Sequence, residues 1–284
     1  MKKWILFCLA AFVLISWADK TDTTHTVMTY NIRLNTNSDG VNAWPKRKQK
    51  VFDLIKKYDP DILGMQEVLY LQLTDLKKAL PGYSYAGVGR NDGKKKGEFS
   101  PIFFKKGRYT LLDQGTFWLS ETPSVPGSKS WDAAITRICT YAHLKDNITG
   151  KDFYAFNTHF DHKGERARGE SAMLIQTKMK EIAGDKVLCV MGDFNFVPTS
   201  EGYKRMVENS GLADSYLVQK VMHKGPQGTS SGFVVGSDKK LNRIDYVFTP
   251  PHTQLVSCGI IDDNDGTYYP SDHLPYITEL DYTK

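Results

Sequence analysis

Residues 187–195 read Val-Leu-Cys-Val-Met-Gly-Asp-Phe-Asn, five apolar residues running directly into a polar turn. A short apolar run closed by turn residues is a buried strand, and this one ends on Asp193 and Asn195. An amphipathic helix, Ser171–Ala183, precedes it, with Met173, Leu174, Met179 and Ile182 at helical spacing, and a further helix follows near Glu201–Asn209. The same pattern, strand first and polar residue at its end, recurs along the chain. Val27–Asn31 ends on Asn31, Ile62–Glu67 on Glu67, and Asp152–His159 on His159. Asp245 opens the run to Phe248, and Ser271-Asp272-His273 precedes the strand Leu274–Leu280. Helices Trp44–Tyr58, stopped by Asp59-Pro60, and Leu69–Leu80, stopped by Pro81-Gly82, lie between the early strands. Tyr83–Arg90, Pro101–Lys106, Thr116–Ser120, Ile135–Lys145 and Leu255–Ile261 complete the strands. Two halves of strand–helix–strand pattern predict an α+β fold. The expected architecture is a four-layer α/β/β/α sandwich, two packed and mainly antiparallel sheets with helices outside. Polar strand ends gathered on one edge of that sandwich would meet in one cleft. Glu121–Ala134 and Val221–Leu241 read as loops able to shape its rim, the first anchored by a buried Trp131.

The chain has 284 residues, 40% apolar, 12% aromatic and 24% charged, which is a folded composition. A net charge of +5 is too small a surplus for a dedicated nucleic-acid binder. The first 18 residues stand apart from the domain at 19–284. Met1-Lys2-Lys3 gives a positive start, Trp4–Ile15 is apolar throughout, and Ser16-Trp17-Ala18 supplies small residues where a signal peptidase cuts. That run of 12 residues is short of the ~20 needed to span a membrane. A cleaved export signal and a periplasmic or extracellular protein are therefore expected. Cleavage after Ala18 removes two lysines and lowers the net charge to +3. Cys139, Cys189 and Cys258 then remain and allow at most one disulfide, with the pairing open.

Carboxylates beside asparagines make an all-oxygen site, which suits Mg²⁺ or Mn²⁺ better than zinc. A histidine next to an aspartate suits proton transfer or stabilisation of a charged phosphate transition state. Together they match what hydrolysis of a phosphate ester requires.

In order, Met28-Thr29-Tyr30-Asn31, Gln66-Glu67, Asn157-Thr158-His159, Gly192-Asp193-Phe194-Asn195, Arg243-Ile244-Asp245-Tyr246 and Ser271-Asp272-His273 resemble the endonuclease/exonuclease/phosphatase superfamily. That superfamily includes deoxyribonuclease I, abasic-site endonucleases, neutral sphingomyelinases, inositol polyphosphate 5-phosphatases and deadenylases. The resemblance runs from about Val27 to Pro275. It implies that Glu67 is the principal metal ligand, with Asn31 and Asp272 on metal or phosphate. It implies that Asp193 orients or deprotonates the attacking water and that Asn195 positions the phosphate. His273, oriented by Asp245, would stabilise the phosphorane or shuttle a proton, and His159 would meet the phosphate or the leaving group. Glu98 is the expected partner of His159, with Arg90 beside it; Asn157 belongs to the substrate-facing block. Arg166 and Arg168, at the start of the helix after His159, could reach substrate phosphates or end in solvent. The implied activity is a divalent-metal-dependent phosphodiesterase or nuclease using in-line attack of water. The alternative is a phosphomonoesterase or a lipid phosphodiesterase of the same superfamily. The partner is a phosphate-ester substrate, nucleic acid among the candidates, and no motif calls for a protein partner, so a monomer is expected. Two rivals stand beside this. Asn157-Thr158-His159-Phe160-Asp161-His162 is similar to the zinc signature of metallo-β-lactamase-type hydrolases, with Asn157 where a histidine ligand belongs. A non-catalytic surface binding protein on the same fold is the other.

Overall fold

Residues 23–218, 223–236 and 241–281 are described in a computed structural model; the expected leader at 1–18 lies outside them. The chain enters on strand β1 (Thr24–Asn31), then passes a 3-10 segment, Asn37–Asn42, into helix α1 (Trp44–Tyr58). Pro45 sits in the first turn of α1, where its missing N–H leaves no helical bond unmade. Asp59, at φ 42°, turns the chain out of the helix ahead of Pro60. Strand β2 (Ile62–Gln66), helix α2 (Tyr70–Ala79) and strands β3 (Tyr83–Ala86) and β4 (Ile102–Lys105) follow. Strands β5 (Tyr109–Trp118), β6 (Ile138–Asp146) and β7 (Asp152–His159) lead to helix α3 (Glu165–Ile182) and strand β8 (Val187–Asp193). Helix α4 (Glu201–Val207) and strands β9 (Ala213–Asp214), β10 (His223–Lys224), β11 (Asp245–Thr249), β12 (Gln254–Ile260) and β13 (Tyr276–Asp281) complete the chain.

The strands form two sheets, β10-β12-β13-β1-β2-β4-β3 and β5-β6-β7-β8-β11-β9. Most neighbours run antiparallel; β1–β2, β7–β8 and β10–β12 are parallel. Strand periodicity builds the layers. In β1 and β2, Val27 and Ile62 point between the sheets, while Met28 and Leu63 point out to α1 and α2. In β11, Val247 points inward, and Tyr246 and Phe248 pack outward among Phe194, Ile175 and Tyr203 under α3 and α4. The result is the expected α/β/β/α sandwich. One strand differs from its expected extent: β5 begins at Tyr109 rather than Thr116. It is an edge strand whose Leu112, Asp113 and Gln114 face solvent, and a bulge after Leu111 breaks the alternation that marks a strand.

Register then does the gathering. His159 of β7 pairs with Asp193 of β8 in parallel, and Asp193 pairs with Asp245 of β11 in antiparallel. Three polar residues thus lie in one row across one sheet. In the facing sheet, Asn31 pairs with Gln66, so Glu67 emerges beside Asn31. The three cysteines Cys139, Cys189 and Cys258 are all free and buried.

Candidate active site

The row and the pair close on each other across the open edge of the sandwich. Asn31 is fully buried, and its Nδ2 donates to Glu67 Oε1 at 3.0 Å and to Asp193 Oδ2 at 2.9 Å, one carboxylate from each sheet. Its Oδ1 accepts the backbone N–H of Arg33 at 2.9 Å, so Asn31 orients the two acids rather than standing free. Glu67 leaves β2 with φ 62°, a left-handed turn that aims its side chain into the cleft. Its Oε2 accepts the backbone N–H of Leu34 at 2.9 Å.

Asp193 is the centre. Its Oδ1 accepts the Asn195 backbone N–H at 2.9 Å, while Oδ2 lies 3.3 Å from His159 Nε2 and 3.8 Å from His273 Nε2. Burial, with Asp245 adding repulsion, pushes the Asp193 carboxyl up to about 7. His273 Nδ1 is held by Asp245 Oδ2 at 2.9 Å. Burial works against the His273 imidazolium, yet Asp245 and Asp193 together raise its pKa well above the usual histidine range. His159 goes the other way: burial, then Arg137 and Arg90, lowers it well below that range and keeps it neutral. Two histidines beside one aspartate are thus split into a cation and a neutral ring by their surroundings. Glu98 Oε2 lies 4.0 Å from His159 Nδ1 and pairs with Arg90 Nη1 at 2.7 Å. Burial raises the Glu98 carboxyl, against the pull of Arg90. Asn195 donates from Nδ2 to the Phe160 carbonyl at 3.0 Å, which ties it to the end of β7.

These side chains line a cleft of about 300 Å³ formed by Arg33, Leu34, Glu67, Glu98, Ile135, Arg137, His159, His162, Asp193, Asn195, Asp272 and His273. Glu67 and Asp272 each stand 3.9 Å from Arg33 Nη1. Carboxylate oxygens on the cleft wall, with Asn31 behind one of them, fit a hard divalent cation. A second acidic group, Asp193, Asp245 and His273, has its donor atoms within 4.8 Å of one another. There the short contact of His273 with Asp245 makes a proton-holding pair, so the Glu67 and Asp272 side is the better metal seat.

A model of the Endonuclease/Exonuclease/phosphatase family matches residues 28–273, which brackets every one of these side chains. The chain belongs to that family. Its members are phosphoesterases, and solved relatives cover it almost end to end. A family protein from Bacteroides vulgatus is 41% identical with a TM-score of 0.86, covering 91% of this chain and 98% of its own. A mannosyl-6-phosphatase from Bacteroides thetaiotaomicron is 40% identical with a TM-score of 0.83, covering 90% and 99%. Human nocturnin is 25% identical over 85% of this chain and 59% of its own length. The chain spans about a third to two thirds of the length of the curated relatives it matches.

For this family member, several sequence expectations need correction. Asn157 does not face substrate. It is fully buried between the sheets, where Nδ2 donates to the carbonyls of Met65 at 2.8 Å and Pro101 at 2.9 Å, and Oδ1 accepts from Gln66 Nε2 at 2.7 Å. Gly64 leaves the room: a Cβ there would fall 2.8 Å from Asn157 Cγ. Asn157 shares the inward face with His159 but lies one pleat deeper. Arg166 is exposed at the start of α3, outside the cleft, and among the described residues only its backbone N–H bonds, to Asp132 Oδ2 at 3.3 Å. Arg168 is turned onto the Asp161 carbonyl at 3.1 Å, and Arg90 serves Glu98 without lining the cleft. Trp131 is half-buried at φ 57°, not a buried anchor. The zinc-type reading fails at Asp161, whose oxygens accept backbone N–H groups of Ile135, Lys163 and Gly164. Those bonds outweigh burial and hold its carboxyl down at about 2.

Four contributors went unread in the sequence. Arg33 and Arg137 both line the cleft, and Arg137 is buried with no hydrogen bond at Nε or Nη1 among the described residues. Arg47, in α1, spends its guanidinium on the carbonyls of Ile32, Arg33, Asn42 and Pro270, fixing the end of β1. Thr229 Oγ1 accepts the backbone N–H groups of Ile244 and Asp245, and its carbonyl accepts that of Leu274, so it bolts the Asp245 and His273 segments together. A helix-borne arginine and a loop threonine carry no motif that separates them from solvated residues.

Proposed function

We propose that this protein is a divalent-metal-dependent phosphomonoesterase acting on a small phosphorylated molecule, a sugar phosphate being the leading class. The observation that carries this reading is the cleft, about 300 Å³ and walled by residues of both sheets, with the acid–histidine row at its floor. That volume sits at the small end of ligand pockets and suits a compact phosphate rather than a duplex. The mannosyl-6-phosphatase at 40% identity supports the same class. The nuclease and lipid phosphodiesterase readings share the chemistry below and differ in what the cleft admits.

Glu67 and Asp272, with Asn31 orienting Glu67, would hold the cation, and Mg²⁺ or Mn²⁺ suits their oxygens. When bound, such an ion neutralises phosphate charge and steadies the charge that builds up during displacement. The chain's own residues supply the rest. Asp193, whose carboxyl is pushed up from the usual carboxylate range by burial beside Asp245, is matched to take a proton from the attacking water. Asn31 and the Asn195 N–H fix its two oxygens so that it cannot rotate away. His273 keeps its proton under Asp245 and presents Nε2 to the reacting phosphoryl group as a fixed donor. His159 is neutral and donates or accepts opposite it, with Glu98 behind its other nitrogen.

The experiment is a panel run on the purified protein with Mg²⁺: mannose 6-phosphate, other sugar phosphates, inositol phosphates, DNA, RNA and sphingomyelin. Phosphate release from the sugar phosphates, outpacing every polymer and lipid, is expected. Nicking of DNA or RNA as the dominant activity would replace the monoester reading with the nuclease one.

A further inference from the structure

We propose that Arg33 is a substrate-binding residue, with its Nη1 taking a non-bridging oxygen of the phosphoryl group; this rests on the phosphoesterase reading above. Everything about Arg33 except that nitrogen is already fixed. Its backbone sits at φ 56°, a left-handed conformation that a residue with a side chain adopts only when its surroundings impose it. Here they do. The N–H donates to Asn31 Oδ1, and the carbonyl accepts from Arg47 Nη2 at 2.7 Å and from Gln72 Nε2 at 2.9 Å. The side chain is clamped as well. Nε and Nη2 donate to the two oxygens of Asp39 at 3.1 and 3.0 Å, the fork geometry that locks a guanidinium plane. Asp39 belongs to the 3-10 segment and its side chain is largely covered.

Arg33 lines the cleft, and its remaining nitrogen, Nη1, lies between two other cleft residues, Glu67 and Asp272, and makes no hydrogen bond to any described residue. It lies 3.9 Å from Glu67 and 3.9 Å from Asp272, too far to bond either. An arginine present only to neutralise those two acids would bond them directly. This one is tied back by a third carboxylate, held clear of both, and left with an open donor facing the reacting space. Asp39 is therefore a positioning residue, and Arg33 is the group that meets the phosphate. A second charge on the ligand strengthens that contact, so Arg33 favours the dianionic monoester over the singly charged diester.

The test compares the full-length wild type with Arg33→Gln, Arg33→Lys and Asp39→Asn, all with Mg²⁺ present. Inorganic phosphate is the probe, read as a competitive inhibitor of p-nitrophenyl phosphate hydrolysis and as a shift in melting temperature. Calorimetry gives Mg²⁺ affinity. Losing one charge-assisted donor is expected to weaken phosphate binding about tenfold to a hundredfold in Arg33→Gln and several-fold in Asp39→Asn. The monoester-to-diester rate ratio should fall in step. Phosphate affinity within about twofold of wild type, with Mg²⁺ bound more tightly, would reduce Arg33 to a charge-balancing residue and overturn the proposal. If Arg33→Gln does not fold, Asp39→Asn decides by the same limits, since it leaves every backbone contact of Arg33 in place. A wild type inert toward all phosphate esters would defeat the functional reading instead. The melting shift with phosphate would still report on Arg33.

Discussion

Replacing Asp193 with asparagine should abolish turnover and, at the same time, make the protein more stable above neutral pH. The carboxyl rises from 3.8 in the unfolded chain to about 7 in the folded one, because it is buried beside Asp245. Between those values the folded state holds a proton that the unfolded state has released, so folding stability falls as pH rises through the window and levels off above it. That rise is worth at most about 4 kcal/mol. That figure already includes the opposing pull of His273, and the introduced amide would set its NH₂ against the Asn31 donor that now bonds Asp193 Oδ2, which takes back part of the gain. A net gain of roughly 2 kcal/mol, or about 4–8 °C in melting temperature for a domain this size, is the expected result at pH 8. At pH 5 the gain should be largely absent. Thermal melts of both proteins at the two pH values, in chelator so that metal binding does not contribute, measure it. An Asp193→Asn protein no more stable than wild type at pH 8, or equally stabilised at both pH values, would refute the reasoning.

Three other outcomes follow from the same structure. Asn157→Ala strips three buried hydrogen bonds from the seam between the sheets, so it should lower stability by about 3 kcal/mol or more. Chemical denaturation checks this, and a near-neutral result would mean the seam does not depend on that amide. Chelation should cut activity at least about a hundredfold, with Mg²⁺ or Mn²⁺ restoring it and zinc failing to, as an oxygen-only donor set requires. Amino-terminal sequencing of the protein recovered from an export-competent bacterial host should begin at Asp19, just after Ser16-Trp17-Ala18. An intact Met1 would remove the leader reading.

Much of the architecture was legible because the central strands announce themselves. Val187–Met191 is buried on both faces, so it is apolar at every position, and the turn after it leaves Asp193 at the strand end. Strand β5 hid because it is an edge strand with a solvated middle. The acid–histidine row was legible residue by residue, since each member closes or opens an apolar run. Its geometry was not. Whether Asn157 faces ligand or lies between sheets depends on how deep each pleat sits, and period two gives both positions the same face. Arg33 and Arg137 were invisible for a related reason. Arginines beside a strand are usually solvated, and only the packing of Asp39, Arg47 and Gln72 around one, and of His162 beside the other, shows otherwise.

The measurement that bears most directly on the central claim is the ratio of kcat/KM for p-nitrophenyl phosphate to that for bis-p-nitrophenyl phosphate, with Mg²⁺ restored after chelation. A small walled cleft with the split histidine pair and Asp193 at its floor predicts a monoester preference of about a hundredfold or more, with turnover of both esters lost in Asp193→Asn. Equal rates on the two esters, or faster cleavage of the diester, would contradict it.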